Sequence, residues 1–128
     1  ELAAELGHPV SPERARLASL DALPFGDGAF DVVLCSAVLH FARDHAHFHA
    51  MVHELFRVLR PGGMLFARLA SSEGIADQVR PLGGGRAILP DGSERYLTTA
   101  DDLLQLTARF GALLDPLKTT IVHGQRAM

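Results

Sequence analysis

The sequence predicts an α/β fold: a mostly parallel sheet with helices on both faces. Three stretches carry that expectation. Phe30-Asp31-Val32-Val33-Leu34-Cys35 is nearly continuous in apolar and β-branched residues, the composition of a strand covered on both sides. From Ala46 to Leu59 the period changes. Phe48, Val52, Leu55 and Leu59 recur at spacings of four, three and four, which lays one apolar stripe along a helix. Met64-Leu65-Phe66-Ala67-Arg68-Leu69 follows as a second strand. Strand, helix and strand joined by short connections make a crossover unit whose strands lie parallel.

The other elements follow in chain order. Residues 1–7 are helix formers that stop at Gly7, and Pro9 and Pro12 then impose an extended connection. Arg16–Leu20 alternates weakly, as a short strand does, and Gly26-Asp27-Gly28 is a turn. Arg57 and Arg60 suit the carboxyl end of the helix macrodipole, and Pro61-Gly62-Gly63 ends that helix. Residues 71–97 hold Gly74, Pro81, Gly83-Gly84-Gly85, Pro90 and Gly92 with few apolar anchors, the profile of a mobile segment, a lid or a substrate loop. Thr99-Ala100-Asp101-Asp102 has the form of a capping box with Asp in place of Glu or Gln. Leu103, Leu104, Leu106, Thr107 and Phe110 continue it on a helical period to Gly111. Two strands, Leu113-Leu114 with Leu117 and then Thr119–His123, are expected to close the chain.

Composition bounds the function classes. At 128 residues the chain is one domain, not two. An ordinary apolar fraction of 48% with a net charge of −3 excludes a disordered chain and disfavours a nucleic-acid binder, because no global positive field draws in phosphates. The single cysteine, Cys35, cannot form an internal disulfide, which points to a reducing compartment. The apolar run Val32–Leu39 is far short of the roughly 20 residues that cross a bilayer. The opening Glu1-Leu2-Ala3-Ala4-Glu5 is acidic where a signal peptide needs a basic region. The expectation is a soluble, cytoplasmic protein with neither a nucleic acid nor a membrane as partner.

Two motifs stand in order. Leu20-Asp21-Ala22-Leu23-Pro24-Phe25-Gly26-Asp27-Gly28-Ala29-Phe30-Asp31-Val32-Val33-Leu34-Cys35-Ser36-Ala37-Val38-Leu39-His40 is followed by Glu54-Leu55-Phe56-Arg57-Val58-Leu59-Arg60-Pro61-Gly62-Gly63. Together they resemble the central part of a class I S-adenosylmethionine-dependent methyltransferase of the type 11 small-molecule group. The resemblance runs from about Leu17 to Leu69 and more weakly to the carboxyl end. It implies a Rossmann-like sheet in the strand order 3-2-1-4-5-7-6, S-adenosylmethionine as cofactor and a small-molecule acceptor. It places Asp21 and Ala22 beside the adenine ring, and Ser36 and Ala37 near the methionine part. A carboxylate at Asp21 can accept from the adenine amino group, with Leu23 and Phe25 as an apolar face for the ring. Ligands of open α/β sheets bind outside the carboxyl ends of the strands, and Asp21, Ser36 and Ser71 fall at such ends.

The family's glycine-rich loop after its first strand, and the acidic residue closing its second, are absent from these residues. Gly83-Gly84-Gly85 cannot replace the loop, because no strand enters it and no helix opens from it. The amino-terminal strands are therefore expected to be missing from the chain as given. They lie upstream in a longer protein, come from a partner or swapped copy, or the remaining strands re-pair into a smaller fold. Their absence leaves Arg16–Leu20 without neighbours and bares an apolar edge on the strand at Phe30–Cys35, which favours a homodimer.

The remaining candidates carry two readings each. His45, His49 and His53 share a helix flank and His47 lies beside them, but no second His completes a zinc motif around Glu54, so they read as a solvated flank with no metal. His40 sits past the strand where the family faces its substrate, either as a base that orients the nucleophile or as a structural cap. Ser71 and Ser72 either touch substrate or end a strand. Arg80 and Arg86 either meet an anionic substrate or are solvated. Asp31 accepts from a neighbouring turn, and Cys35 is a small buried hydrophobe. The expected function is methyl transfer from S-adenosylmethionine to a small molecule by in-line displacement, with residues 71–97 as a lid. The alternatives are a non-catalytic remnant acting as a structural or regulatory subunit, and another α/β nucleotide binder sharing the adenine edge.

Overall fold

β1 spans Phe30–Ser36, a 3-10 turn follows at Leu39–Phe41, and helix α1 spans His45–Val58. These are seen in a computed structural model that describes Gly7, Ser11 and residues 14–128. The helix expected over 1–7, apart from Gly7, and the connection through Pro9 and Pro12 lie outside the described residues. α1 starts where Asp44 caps it, its carboxylate accepting the His47 N–H at 2.8 Å. Phe48, Val52 and Leu55 form the expected buried stripe, with Met51 and Val58 beside them.

Leu59 does not extend that stripe. It opens β2, Leu59–Arg68, which pairs parallel with β1. Phe30 lies opposite Leu59 and Val32 opposite Met64, so five steps on β2 match two on β1, and Pro61-Gly62-Gly63 forms a bulge inside the strand rather than a turn before it. Gly62 takes φ +79°. A Cβ on Gly63 would lie 2.6 Å from Leu59 Cδ1 and 2.8 Å from the Asp31 carbonyl oxygen of β1, so only glycine lets the strands close here.

The β1–β2 pair is covered on one face among the described residues, which corrects the expectation of helices on both. Val33, Cys35 and Leu65 pack into the core with Phe48, Val52 and Leu55 of α1 and with Leu103, Leu106 and Phe110 of α2, Ala100–Phe110. Phe56 and Phe110 stack with centroids 4.6 Å apart, which holds both helices on the same side. Opposite them Val32, Leu34, Met64 and Phe66 are exposed, Leu34 at 73%. The second edge of β1 has no partner among the described residues.

Residues 71–97 are folded, not bare loop. β3 (Arg80–Gly83), β4 (Arg86–Ile88) and β5 (Glu94–Tyr96) form an antiparallel meander. Ala87, Leu89 and Tyr96 within it are buried, as is Ile75 before it, and Tyr96 stacks on Phe48 at 4.6 Å and 15°. Gly85, at φ +83°, lies so close to the Tyr96 ring that a side chain there would collide with it. The capping box at α2 forms as read: Thr99 and Asp102 satisfy one another's backbone N–H groups.

Two expected strands do not form. Arg16–Leu20 shows only a bridge between Ser19 and Ala22, with Leu17 fully exposed; no strand among the described residues lies beside it to supply hydrogen bonds. Residues 111–120 carry no regular structure, and Leu113, Leu114 and Leu117 are exposed, so nothing packs against them. A hairpin of β6 (Ile121–Val122) and β7 (Arg126–Ala127) closes the chain instead. The described strands thus form three small sheets, not a single mostly parallel one. Among the described residues no helix is long and apolar enough to cross a membrane.

Candidate functional site

The carboxyl ends of β1 and β2 are locked together. Ala37, in the left-handed region at φ +62°, donates its N–H to the Arg68 carbonyl at 2.7 Å. Ser36 before it is exposed. The chain then enters the 3-10 turn that buries His40, 4% exposed, against Phe41, whose ring centroid is 4.6 Å away. His40 Nδ1 has no hydrogen-bond partner. β5 packs on this turn and brings the Arg95 guanidinium 4.9 Å above the Phe41 ring. Burial holds the His40 pKa below the ordinary histidine value, and the charges of Arg95 and Arg68 act in the same direction. His40 is therefore neutral at pH 7.

Asp21 reaches the same end by another route. Residues 19–28 run along the flank of α1, from its amino end at Asp21 to its carboxyl end, where the Gly28 N–H meets the Arg57 carbonyl at 2.8 Å. An Asp21 carboxylate oxygen lies 3.4 Å from His47 Nε2 and 4.0 Å from Arg43. The Ser19 hydroxyl donates to the carboxylate and is the main cause that lowers its pKa. His47 Nδ1 accepts the Arg43 N–H at 3.1 Å, which assigns the ring proton to Nε2, facing Asp21. Since α1 begins where β1 has ended, Asp21, Ser36, Ala37 and His40 all stand at the carboxyl end of the parallel pair.

A clamp that the sequence reading missed sets the path of this segment. Arg57 donates to both Glu54 carboxylate oxygens (2.6 and 2.8 Å), to the Phe25 and Leu23 carbonyls (2.9 and 3.1 Å) and to Asp27 (2.8 Å). Glu54 also accepts the Leu23 N–H at 2.9 Å. These bonds pull the Glu54 pKa down to about 2, the Arg57 hydrogen bond being the largest cause. The available signal was a Glu and an Arg three apart on one helix face, following a Pro-Phe-Gly-Asp-Gly turn rich in free carbonyls.

Other expected site residues are placed elsewhere. Phe25 packs edge-on to Phe30, centroids 4.9 Å apart, at the amino end of β1, so it offers no face at the rim; Leu23 is half-buried and Ala22 exposed. Ser71 is buried and its N–H bonds the Ala127 carbonyl at 3.0 Å, while the Ser72 N–H bonds Thr98, which makes them a seam between segments. Arg80 is exposed and pairs with Ile88, at the opposite end of β3 from the Gly84 turn that abuts Asp44. Arg86 ties Glu94 to the Ala42 carbonyl. Asp31 pairs with Arg60 at 2.6 Å. Cys35 is buried and desolvation raises its pKa, so it is inert. His45 bonds the Tyr96 hydroxyl at 2.9 Å, His49 and His53 lie edge-on to Phe48 and Phe110, and no group of three metal-ligating side chains occurs among the described residues.

Clefts open elsewhere among the described residues. One of about 90 Å³ lies between α1, α2 and β2; another, of about 260 Å³, is lined by His45, Phe48, His49, Tyr96, Asp102 and Arg109 among others. None of Asp21, Ala22, Leu23, Ser36, Ala37 or His40 lines either. The rim is an open surface: a carboxylate with lone pairs to spare, an exposed hydroxyl and a tight backbone turn. That donor and acceptor set fits one wall of a nucleoside-type cofactor site.

Compared with known proteins, residues 1–67 match the family described as methyltransferase domain. Among solved structures, the crystal structure of the [4+2]-cyclase SpnF is similar, with a TM-score of 0.58 and 26% identity over 86% of this chain and 35% of the SpnF chain. The chain thus spans about a third of that structure's length. No curated protein matches it.

Proposed function

Because the chain belongs to the methyltransferase-domain family, we propose that it takes part in moving a methyl group from S-adenosylmethionine to a small-molecule acceptor. The observation that carries this reading is that Ser36, Ala37 and His40 follow the carboxyl end of β1 in the parallel β1–β2 pair, with Asp21 at the amino end of α1 on the same side, the end at which α/β sheets hold their ligands.

The cofactor supplies an electrophilic sulfonium methyl. Asp21, oriented by Ser19 and His47, accepts from an adenine amino group, with Ala22 and Leu23 beside it, and Ser36 and Ala37 meet the amino-acid part. His40, kept neutral, retains the unprotonated ring nitrogen that a proton acceptor needs. The meander, packed on the 3-10 turn through β5, bounds the acceptor side as a lid that limits water. Ser71 and Arg80 have no part in this reading.

Calorimetric titration of the protein with S-adenosylhomocysteine is the test. Saturable heat is expected, and Asp21→Asn should weaken binding about 10- to 100-fold, the weight of a hydrogen bond to a charged group. Absence of both heat and thermal shift overturns the reading. The likeness to a cyclase supports a second one, in which the same frame binds the cofactor and does other chemistry; S-adenosylhomocysteine binding without methyl transfer to any acceptor would favour it.

A further inference from the structure

We propose that the cleft between α1, α2 and Tyr96 is a second binding site, which takes a small elongated zwitterion: an ammonium and a carboxylate at opposite ends of an apolar, ring-sized body.

Three elements shape the cleft. α1 and α2 run side by side in the same sense, since Phe48 and Leu106 share its lining while Phe56 and Phe110 stack further along both helices at 4.6 Å. His45, Phe48 and His49 of α1 face it, as do Asp102, Leu106 and Arg109 of α2; spacings of three and four keep each set on one side of its helix. Tyr96 of β5 stacks on Phe48, and its hydroxyl meets His45 Nδ1 at 2.9 Å where α1 begins. Phe48, Leu106 and the Tyr96 ring thus make an apolar floor, with the polar groups on its rim. The volume is about 260 Å³. A cavity of roughly 150 Å³ holds a benzene ring, so one ring with a polar substituent at each end fits.

The two ends differ in charge. At the head, Asp102 spends one carboxylate oxygen, Oδ2, on the Thr99 N–H and hydroxyl at 3.0 and 2.9 Å; its Oδ1 accepts no hydrogen bond among the described residues. The Tyr96 hydroxyl has two lone pairs, so one stays available whichever way its bond to His45 runs. Two acceptors, one of them charged, suit an ammonium group. At the foot, Arg109 in the last turn of α2 presents a planar guanidinium fork, which matches a carboxylate. Asp102 and Arg109 are seven residues apart, about 10 Å along the helix axis. Side chains on a helix lean toward its start, which brings the guanidinium back within reach of the far end of a single ring. An α-amino acid carries both charges on one carbon and cannot serve the two ends together.

Calorimetry at pH 7 compares 4-(aminomethyl)benzoate with 4-methylbenzylamine, 4-methylbenzoate and phenylalanine. The NMR signals of Tyr96, the single tyrosine, report where each probe binds. 4-(Aminomethyl)benzoate should bind at least about tenfold more tightly than each of the others, the weight of one hydrogen bond to a charged group, and should shift Tyr96. Asp102→Asn should erase its advantage over 4-methylbenzoate, and Arg109→Gln its advantage over 4-methylbenzylamine. Asp101→Asn, on the same helix but outside the cleft, should leave both intact. Asn keeps an oxygen for Thr99, and circular dichroism verifies that α2 forms; Tyr96→Phe, which leaves the cap alone, should weaken 4-(aminomethyl)benzoate more than 4-methylbenzoate. Equal affinity for the four probes, binding that leaves Tyr96 unshifted, or a preference untouched by the Asp102 and Arg109 variants overturns the proposal. Saturating S-adenosylhomocysteine should leave the zwitterion's affinity unchanged, because Asp21, Ser36 and Ala37 do not line this cleft; competition between the two refutes a separate site.

Discussion

Phe48→Ala removes the ring on which helix and meander meet. Phe48 is 2% exposed. One face stacks on Tyr96 at 4.6 Å, and its flanks border both the 90 Å³ and the 260 Å³ clefts. Truncating a buried Phe to Ala costs about 3–5 kcal/mol, of which an aromatic pair accounts for roughly 0.5–1.5. Because the new void opens onto two existing clefts and is not sealed, the expected loss is near the lower end, about 3 kcal/mol. Against a domain stability of about 5–15 kcal/mol that is a large fraction. Tyr96 is the only tyrosine in a chain without tryptophan, so its fluorescence reports the stack directly. Urea unfolding followed by Tyr96 fluorescence and by circular dichroism should show a lowered midpoint at nearly unchanged slope, and Phe48→Leu should lose less than half as much. A loss under about 1 kcal/mol for the alanine variant, below the range for any buried aromatic truncation, would refute the claim that the meander is held through this ring.

Two further outcomes follow from the site's surroundings. Glu54 has its pKa depressed to about 2, so the clamp's stabilisation is complete above the unfolded carboxylate value of about 4.3 and is lost as pH falls through about 2; the melting-temperature gap between the native protein and Glu54→Gln, followed from pH 6 to pH 2, should close over that window. Ala37 at φ +62° carries a left-handed penalty of about 1–2 kcal/mol, against the roughly 0.5–1 that glycine loses in chain entropy, so Ala37→Gly should raise the urea midpoint slightly and Ala37→Val should lower it.

The parts of the fold set by local pattern were legible in the sequence. The apolar run at 30–35 and the Phe48–Val52–Leu55 stripe specify β1 and α1 without reference to the rest of the chain, and Thr99 with Asp102 fixes the start of α2 to the residue. Strands at Arg16–Leu20 and Leu113–Leu117 were not decidable this way, because a strand exists only with a neighbour to bond. The meander was hidden by its glycines: Ile75, Ala87, Leu89 and Tyr96 are irregularly spaced anchors, and its strands of three or four residues are too short to show a period. Asp21, Ser36, Ala37 and His40 were singled out because the motif order suggested them. The Arg57 clamp spans 32 positions to Phe25, and Arg95 reaches the Phe41 ring across a still longer stretch of chain, so tertiary packing alone brings these groups together.

The clamp and the rim are one device with two ends. At the carboxyl end of α1, Arg57 spends its donors on Glu54, Asp27 and two carbonyls, which fixes residues 23–27 without drawing on the Asp21 carboxylate. At the amino end, Asp21 is held through contacts that occupy only part of its capacity. An ionised carboxylate offers about four lone-pair positions; the Ser19 hydroxyl takes one on Oδ1, while His47 Nε2 and the Arg43 guanidinium stand off Oδ2 at 3.4 and 4.0 Å. The two Oδ2 contacts are longer than full hydrogen bonds, so acceptor capacity remains. A ligand's donor would therefore meet a carboxylate whose rotamer is already set and whose charge is assured by its lowered pKa, and binding would not have to bear the cost of ordering it. Had Asp21 been tied down by Arg57 instead, the segment would be as rigid but the rim would have no free acceptor. Separating the two tasks along one helix keeps both.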